Sequence, residues 1–473
     1  MGLPNVFNTG RSGMVATKAA IATSGHNIAN SKTEGASRQR VQTEASVPQP
    51  GFGHTYVGSG VGVSRVERVN DQYIEKQIRN SGRDLANLEE KDLVLHQSED
   101  IFNEMGGEGL NRLISRTFNE FRKLSTDPDS EAVRQSVREA TAAMVNDFHR
   151  IRTEVTEVQK HIDARIEGNI SEANGTIKEL AELNQRIEQL SLQGGQPNDL
   201  MDRRDQVMKK LGTFMDVSMH LDKNGNYNVD AKGIGPVVSG NHSESFSVSR
   251  GPADAQGKPT NSLDIHTTAS ASPDVTHRVK GGRLGALLES RDQLLSTVLG
   301  RLDELAFSLS EAVNEVHEQG FTREGAQGVS YFKKLDGKDR AAEFIDLSEQ
   351  VRASVNNIAT AAEPDSPGDN RVAVALSSLQ QARLMGEGHS TLDDYYNSIV
   401  SDIGVAAAST KSSIKQQTDI SNQLNNMREQ ISGISIDEET ANIMQYQQAF
   451  AATARVIQVA DEMLKEVLDL RRM

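Results

Sequence analysis

Both ends of this 473-residue chain carry an apolar or small-residue repeat whose steps alternate four and three. At the N-terminus the positions are Leu3, Phe7, Gly10, Met14, Thr17, Ile21, Ser24 and Ile28. Such spacing keeps one stripe on one side of a helix and predicts a seam against a second helix. The stripe is light, because Gly10, Thr17 and Ser24 bury little area, so it is marginal as an isolated helix. Near the C-terminus Ile420, Leu424, Met427 and Ile431 form one seam. Ile443, Phe450, Ala454, Ile457, Leu464 and Leu468 form another, beyond a break at Gly433. Asp437, Glu438 and Glu439 stand where acids favour the positive end of a helix dipole. Paired seams at both termini predict assembly, with each other or with neighbouring subunits, and ends that stay loose in the free monomer.

The interior keeps the helical period. Apolar residues predict a helix over about 83–105 and a long one over about 130–193, from Ile151 and Val155 through Ile187 and Leu190. A short helix over 199–214 follows the break at Gly194-Gly195-Gln196-Pro197-Asn198. Residues 217–278 change texture, with short alternating runs, many Ser, Asn and Gly, and a hairpin signal at Lys223-Asn224-Gly225-Asn226. Residues 55–66 also alternate like a strand. Helix returns over about 285–319, loosens over 320–370, and resumes to the end. The expected fold is therefore mainly α with an inserted β domain: terminal helices in a coiled coil, a long-helix bundle, and a small β-rich outer domain. The expected boundaries are 1–42 with 432–473 for the terminal domain and 43–212 with 285–431 for the bundle. A small module lies near 332–362, and 213–284 forms the β-rich domain. The aromatic share of 4% and the absence of Trp suit thin helical bundles.

A net charge of -15 argues against a phosphate-backbone partner. With no cysteine, thiolate metal sites, disulfides and cysteine nucleophiles are excluded. No apolar run reaches the roughly 20 residues of a membrane span, so no membrane insertion is expected. Residues 1–20 lack the pattern of a secretory signal, so export would use another route. Candidate chemistry fails on spacing. Asp222, Asn224 and Asn226 open like a calcium loop, but Tyr227 and Gly233 occupy the Gly and Glu positions. His317-Glu318 lacks the second zinc histidine. No nucleophile, base and orienting group come together, and no cofactor or metal is expected.

Two segments carry a resemblance. Ser24-Gly-His-Asn-Ile-Ala-Asn30 leads into Thr33-Glu-Gly-Ala-Ser-Arg-Gln-Arg-Val41, and Ser432-Gly-Ile-Ser-Ile-Asp-Glu-Glu439 leads into Tyr446-Gln-Gln-Ala-Phe450. Both resemble the terminal signatures of the flagellar axial family of rod, hook and hook-associated proteins. His26, Glu34 and Ala36 depart from the first signature, replacing Asn, Pro and Tyr. Gly60-Val-Gly-Val63 with Arg68 and Asp71, Pro197-Asn-Asp-Leu with Arg204-Asp205, and Gly281-Gly-Arg-Leu-Gly with Arg291-Asp292 resemble the same family. The resemblance implies a non-catalytic structural subunit at the junction between hook and filament. It also implies an extracellular place on the flagellum and export without a signal peptide through the flagellar type III apparatus. The implied partners are further copies in a ring, the hook protein, the second junction protein and an export chaperone on the C-terminal helix. The expected contact residues are Leu3, Phe7, Met14, Ile21, Ile443, Phe450, Ile457, Leu464 and Leu468 on the seams. Asn27, Ile28, Asn30, Ser37, Arg38 and Gln39 join them at the loop, where an ordinary helix cap and turn is the plainer reading. The alternatives are a paralogous axial subunit (second junction protein, hook protein or flagellin) or a type III secreted effector.

Overall fold

A computed structural model describes residues 3–50, 56–102, 109–251, 263–268, 274–366 and 368–470. The chain is mainly helical with small inserted antiparallel sheets, as its texture predicts. Helix α1 (Leu3–Asn30) leads to a hairpin of β1 (Gln39–Ala45), β2 (Gln49–Pro50), β3 (Tyr56–Val57) and β4 (Val61–Arg68). Strands β1 and β4 pair antiparallel, with a bulge between Gln42 and Thr43, and β2 pairs with β3 further out.

The helical body begins at α2 (Gln72–Phe102), whose first turn is capped by Asp71 Oδ1 accepting from the Tyr73 amide at 2.8 Å. It starts eleven residues before the apolar stripe near residue 83 becomes readable, because the first turns are polar and charged. Then come α3 (Leu110–Thr126), α4 (Glu131–Leu192) and α5 (Asn198–Phe214). The 62-residue α4 buries Ile151, Val155, Val158, Ile162, Ile166, Ile170 and Ile177 along one side, the stripe expected of a bundle helix. Ser130 caps its start by accepting from the Val133 amide.

Strands β5 (Val217–Leu221), β6 (Tyr227–Ala231), β7 (Gly235–Ser239) and β8 (His242–Ser243) form a four-stranded meander. Strands β9 (Phe246–Arg250) and β10 (Leu263–Thr267) pair separately. Two asparagines of α4 fasten this insertion. Asn184 accepts from the Tyr227 amide at 3.1 Å and donates to the Tyr227 and Gly240 carbonyls. Asn174 brackets Phe246, accepting from its N–H and donating to its C=O at 2.8 Å each. Buried backbone groups at the edge of a small sheet need such partners.

Helix α6 (Gly282–Glu289) runs through a π-helical turn, Ser290–Leu295, into α7 (Ser296–Glu318). In that turn Arg291, 5% exposed, reaches Asp163 of α4 at 2.7 Å. A period of 3.6 gives no sign of this widened turn. The loose stretch holds α8 (Ala341–Phe344) and α9 (Glu349–Ala353), and α10 (Arg371–Ser378) follows before α11 (Leu392–Ser432) and α12 (Ile436–Leu470).

Side chains of α7 give the long connection over 319–370 its shape. Asn314 accepts from the Tyr331 and Phe332 amides at 2.9 and 2.8 Å. Fully buried His317 donates from Nδ1 to the Val329 carbonyl at 2.7 Å and accepts at Nε2 from the Ala359 amide at 2.8 Å. Burial, opposed by the Val329 hydrogen bond, takes this imidazole from its ordinary 6.5 down to about 4. A second proton would set an N–H against the Ala359 N–H. The unfolded chain then binds a proton near pH 6.5 that the folded chain refuses until about pH 4. The neutral-His contribution is therefore present above pH 6.5 and drains away as pH falls through that window. Urea unfolding at pH 5 should show a loss of about 2 kcal/mol from this group relative to pH 7. Comparison with His317→Gln isolates it. An equal pH dependence in the variant would remove His317 as the cause.

Candidate assembly interface

Helices α1 and α12 pack against each other along their lengths. They run antiparallel: Gly10 faces Ile457 and Gly13 faces Thr453, while Arg38, beyond the other end of α1, meets Glu438 and Glu439. Gly10 and Gly13 make the closest approach to α12, and Gly10, Ala16, Ala20, Ser24 and Asn27 are the buried residues of α1. A Cβ at Gly10 would lie 2.6 Å from Ile457 Cγ1, and one at Gly13 would lie 2.9 Å from Thr453 Cγ2. A side chain at either position would press on Ile457 or Thr453 of α12.

The larger seam residues are placed differently. Phe7 is 45% exposed, and Met14, Ile21 and Ile28 are half-buried. Leu3 lies in α1, with its side chain outside the described residues. On α12, Ile443, Phe450 and Ile457 are half-buried, whereas Leu464 and Leu468 are 43% and 52% exposed. The antiparallel offset explains the last two. With Ile457 opposite Gly10, Leu464 falls opposite Leu3 at the very start of α1 and Leu468 lies beyond it. Val15, Val456 and Val459 add to the exposed apolar surface of the pair.

At the base of the pair a polar knot joins it to the helical body. Asn27, 1% exposed, donates to the Gln39 carbonyl at 2.9 Å and accepts from the Gln39 amide at 3.0 Å, folding the loop back onto α1. Asn30 donates to the His26 carbonyl and accepts from Thr33, closing the turn that Gly35 continues at φ +78°. Ser37 donates its amide and its hydroxyl to the two carboxylate oxygens of Asp202 on α5, at 2.9 and 2.8 Å. Arg68 at the end of β4 binds the same Asp202 at 2.6 Å and Asp205 at 2.9 Å. Burial lowers the Arg68 pKa, but Asp205 and Asp202 outweigh it and hold the guanidinium charged.

The knot continues to both sides. Tyr227 of β6 donates its hydroxyl to Asp205 while the Arg204 guanidinium sits 3.7 Å from its ring centroid. Burial, helped by the Asp205 charge, raises this phenol to about 12, so it remains a donor. Arg38 donates to Glu439 and Glu438 at 2.8 Å each, and its amide donates to the Ser432 carbonyl, tying the loop to the start of α12. Arg428 of α11 binds Glu75 of α2 at 2.9 Å and reaches the Gly35 carbonyl. Burial pushes Glu75 up, but Lys209 and Arg428 more than offset it and hold the carboxyl below its ordinary range. Gln39 adds a bond to Asp199, and Asn198 bonds Gln39 and the Val66 carbonyl. Gly60 packs where a Cβ would be 3.2 Å from the Thr9 backbone, with φ at +101°. It seats the hairpin on α1.

The sequence motifs that resemble one family thus interlock in space. Asn27 holds Gln39, Ser37 and Arg68 share Asp202, Asn198 bonds Gln39, Asp205 and Arg204 join through Arg68 and Tyr227, and the second terminal signature joins through Glu438 and Glu439. Asp202 is the residue that sequence reasoning missed. Its only signal was its place one turn before Asp205, which gives no hint of Ser37, 165 positions away in the chain. The calcium-like stretch closes on itself, with Asp222 accepting from the Asn224 and Asn226 amides at 2.8 Å each. Among the described residues no cluster of potential metal ligands forms.

Comparison with known proteins gives this arrangement its family. The model of the helical domain of the flagellar hook-associated protein FlgK matches residues 95–332, half of the chain. The chain belongs to the FlgK family. A second family model, for the C-terminal region of the flagellar basal body rod FlgEFG proteins, matches residues 429–470, covering the end of α11 and α12. Flagellar hook-associated protein 1 of Bacillus subtilis is 27% identical, with 98% of this chain and 97% of that protein covered. The Salmonella typhimurium protein of the same name is 23% identical, with 99% and 100% covered. The flagellar hook junction protein FlgK from Burkholderia pseudomallei shares the fold, with a TM-score of 0.67 at 15% identity over 75% of this chain. As a member of the FlgK family the chain is a structural component of the flagellum, serving motility and flagellum assembly. No described helix is long and apolar enough to cross a membrane.

Proposed function

We propose that this chain joins hook to filament as a ring of identical subunits, through the exposed apolar face of its α1–α12 pair. The observation that carries this reading is the pair itself. Phe7, Val15, Val456, Val459, Leu464 and Leu468 stay exposed on helices that are already pinned to the body by the knot. Apolar side chains gathered on a fixed surface are stabilised by burial against another chain, at about 25 cal/mol per Å². The names of the relatives support the hook-filament junction as the place. In this reading residues 1–42 and 432–473 form the inner domain, 43–212 and 285–431 the bundle, and 213–284 the outward β-rich domain. The seam residues Leu3, Phe7, Met14, Ile21, Ile443, Phe450, Ile457, Leu464 and Leu468 meet neighbouring subunits. Asn27, Ile28, Asn30, Ser37, Arg38 and Gln39 set the angle at which the pair is presented. Hook protein lies on one side of the ring and the second junction protein on the other. Export runs through the flagellar type III apparatus, with a chaperone covering the last turns of α12 until assembly.

Electron microscopy of cells lacking the gene, with flagellin assayed in the medium, tests the junction role. Complete hooks without filaments, and flagellin released to the medium, are expected. Missing hooks would move the chain to a rod or hook position, and normal filaments would end the proposal.

A further inference from the structure

A trough of the helical body, away from the terminal pair, has the features of a peptide site. Strand β5 is the outer strand of its sheet. Its neighbour β6 takes hydrogen bonds at alternate residues. The Lys232 amide donates to the Asp216 carbonyl and the Asp222 amide to the Asn226 carbonyl, so even-numbered positions face β6. Val217, Met219 and Leu221 therefore direct their N–H and C=O groups to the open edge. Among the described residues no backbone partner outside the sheet meets them. An open edge of this kind is a template for another strand.

The edge looks across a groove to α2. Two adjoining cavities, about 600 and about 430 Å³, share Gln72, Arg79 and Met219 as lining and so form one trough along β5. Met208 and Gly212 of α5 floor one end. On the far wall Lys76 and half-buried Arg79 project from one face of α2, and among the described residues neither has an ion-pair partner. The carboxylates along the trough are already matched, Glu67 to Arg65, Glu75 to Lys209 and Arg428, Asp205 to Arg68, and Asp216 to Arg83 and Lys232, so Lys76 and Arg79 are left to an outside anion.

We propose that this trough binds an extended, acidic segment of a partner polypeptide as an added strand on β5. Five residues of extended chain span roughly 17 Å and match the length of β5. The added strand supplies the missing edge partners, its carboxylates meet Lys76 and Arg79, and its apolar side chains rest on Met219 and the α5 floor. A helix satisfies its own backbone and offers this edge nothing. The proposal is independent of the assembly role given to the terminal pair.

The test uses the full chain and a fluorescein-labelled peptide that alternates Glu with Val or Thr, followed by fluorescence anisotropy. Saturable binding is expected. The double variant Lys76→Glu, Arg79→Gln should weaken it about tenfold or more, the size of one lost charge-assisted contact. The same peptide with Lys in place of Glu should bind the native chain poorly. The peptide methylated on alternate backbone nitrogens, which blocks one of its edges, should also lose affinity. Hydrogen exchange at the Met219 and Leu221 amides should slow when the Glu peptide is bound, which checks the location without any mutation. Absent saturable binding, equal binding of the Glu and Lys peptides, indifference to N-methylation, or unchanged exchange at β5 would each overturn the proposal.

Discussion

Asp202→Ala is expected to lower the unfolding free energy by about 3 kcal/mol, the scale for removing one partner of a buried, hydrogen-bonded charge pair. Asp202 is 8% exposed and receives three bonds: two from Ser37 and one from Arg68. Without its carboxylate the Ser37 amide and hydroxyl lose both partners, and Arg68 keeps Asp205 alone. The loop over 31–38 then keeps only Gln206 donating to the Glu34 carbonyl as its bond to α5, so the base of the terminal pair is freed first. Two measurements read this separately. Urea unfolding at pH 7 gives the stability loss, and trypsin digestion should cleave faster at Arg38 and Arg40 in the variant. Asp202→Asn keeps an acceptor for one Ser37 donor and should cost less, about 1–2 kcal/mol. If the Ala variant keeps its midpoint and its digestion pattern, the knot is not what fixes the pair to the body.

Gly10→Val should abolish motility in a complementation assay while leaving the helical body folded. The new side chain would begin 2.6 Å from Ile457 Cγ1 and 3.6 Å from the Thr453 carbonyl oxygen, so Ile457 must turn away or α1 and α12 must part. Only part of that clash can be relieved by moving the Ile457 side chain, because the two helices approach through the small residues on α1. The contact lies at the far end of the pair from the knot. The unfolding transition of the body should therefore shift by no more than about 0.5 kcal/mol, as for independent sites. Swarming of a strand carrying the variant reads assembly, and circular dichroism melting of the purified chain reads folding. Normal swarming would show that the close helix contact is dispensable. A collapsed melt would show that the pair and body fold as one unit.

The seams illustrate what spacing can and cannot reveal. A repeat of four and three says that a helix has a contact side. It does not weigh close backbone approach against bulk. On α1 the closest contact with α12 goes to Gly10 and Gly13, and Phe7 turns outward. Small residues gain contact by letting two backbones come near, a benefit that appears only when the partner is in place. On α12 Ile457 faces Gly10 of α1, and by that offset Leu464 comes opposite Leu3, the first residue of the helix, with Leu468 beyond it. The π-helical turn at Ser290–Leu295 was equally silent in the sequence. It is held by Arg291 on Asp163, a partner 128 residues away.

By itself the sequence determined that both ends are helical, that α4 is one long bundle helix, that a β-rich segment interrupts the helices, and that the chain has the motifs of a flagellar axial protein. These are local properties, carried by period, turn chemistry and short signatures. Tertiary structure alone decided which motif meets which. Ser37 finds Asp202, Arg38 finds Glu439 and Arg428 finds Glu75 because chain folding brings together residues separated by 165, 401 and 353 positions. Charge and hydrogen-bond complementarity select such partners only at contact distance, so no pattern along the chain encodes them in readable form.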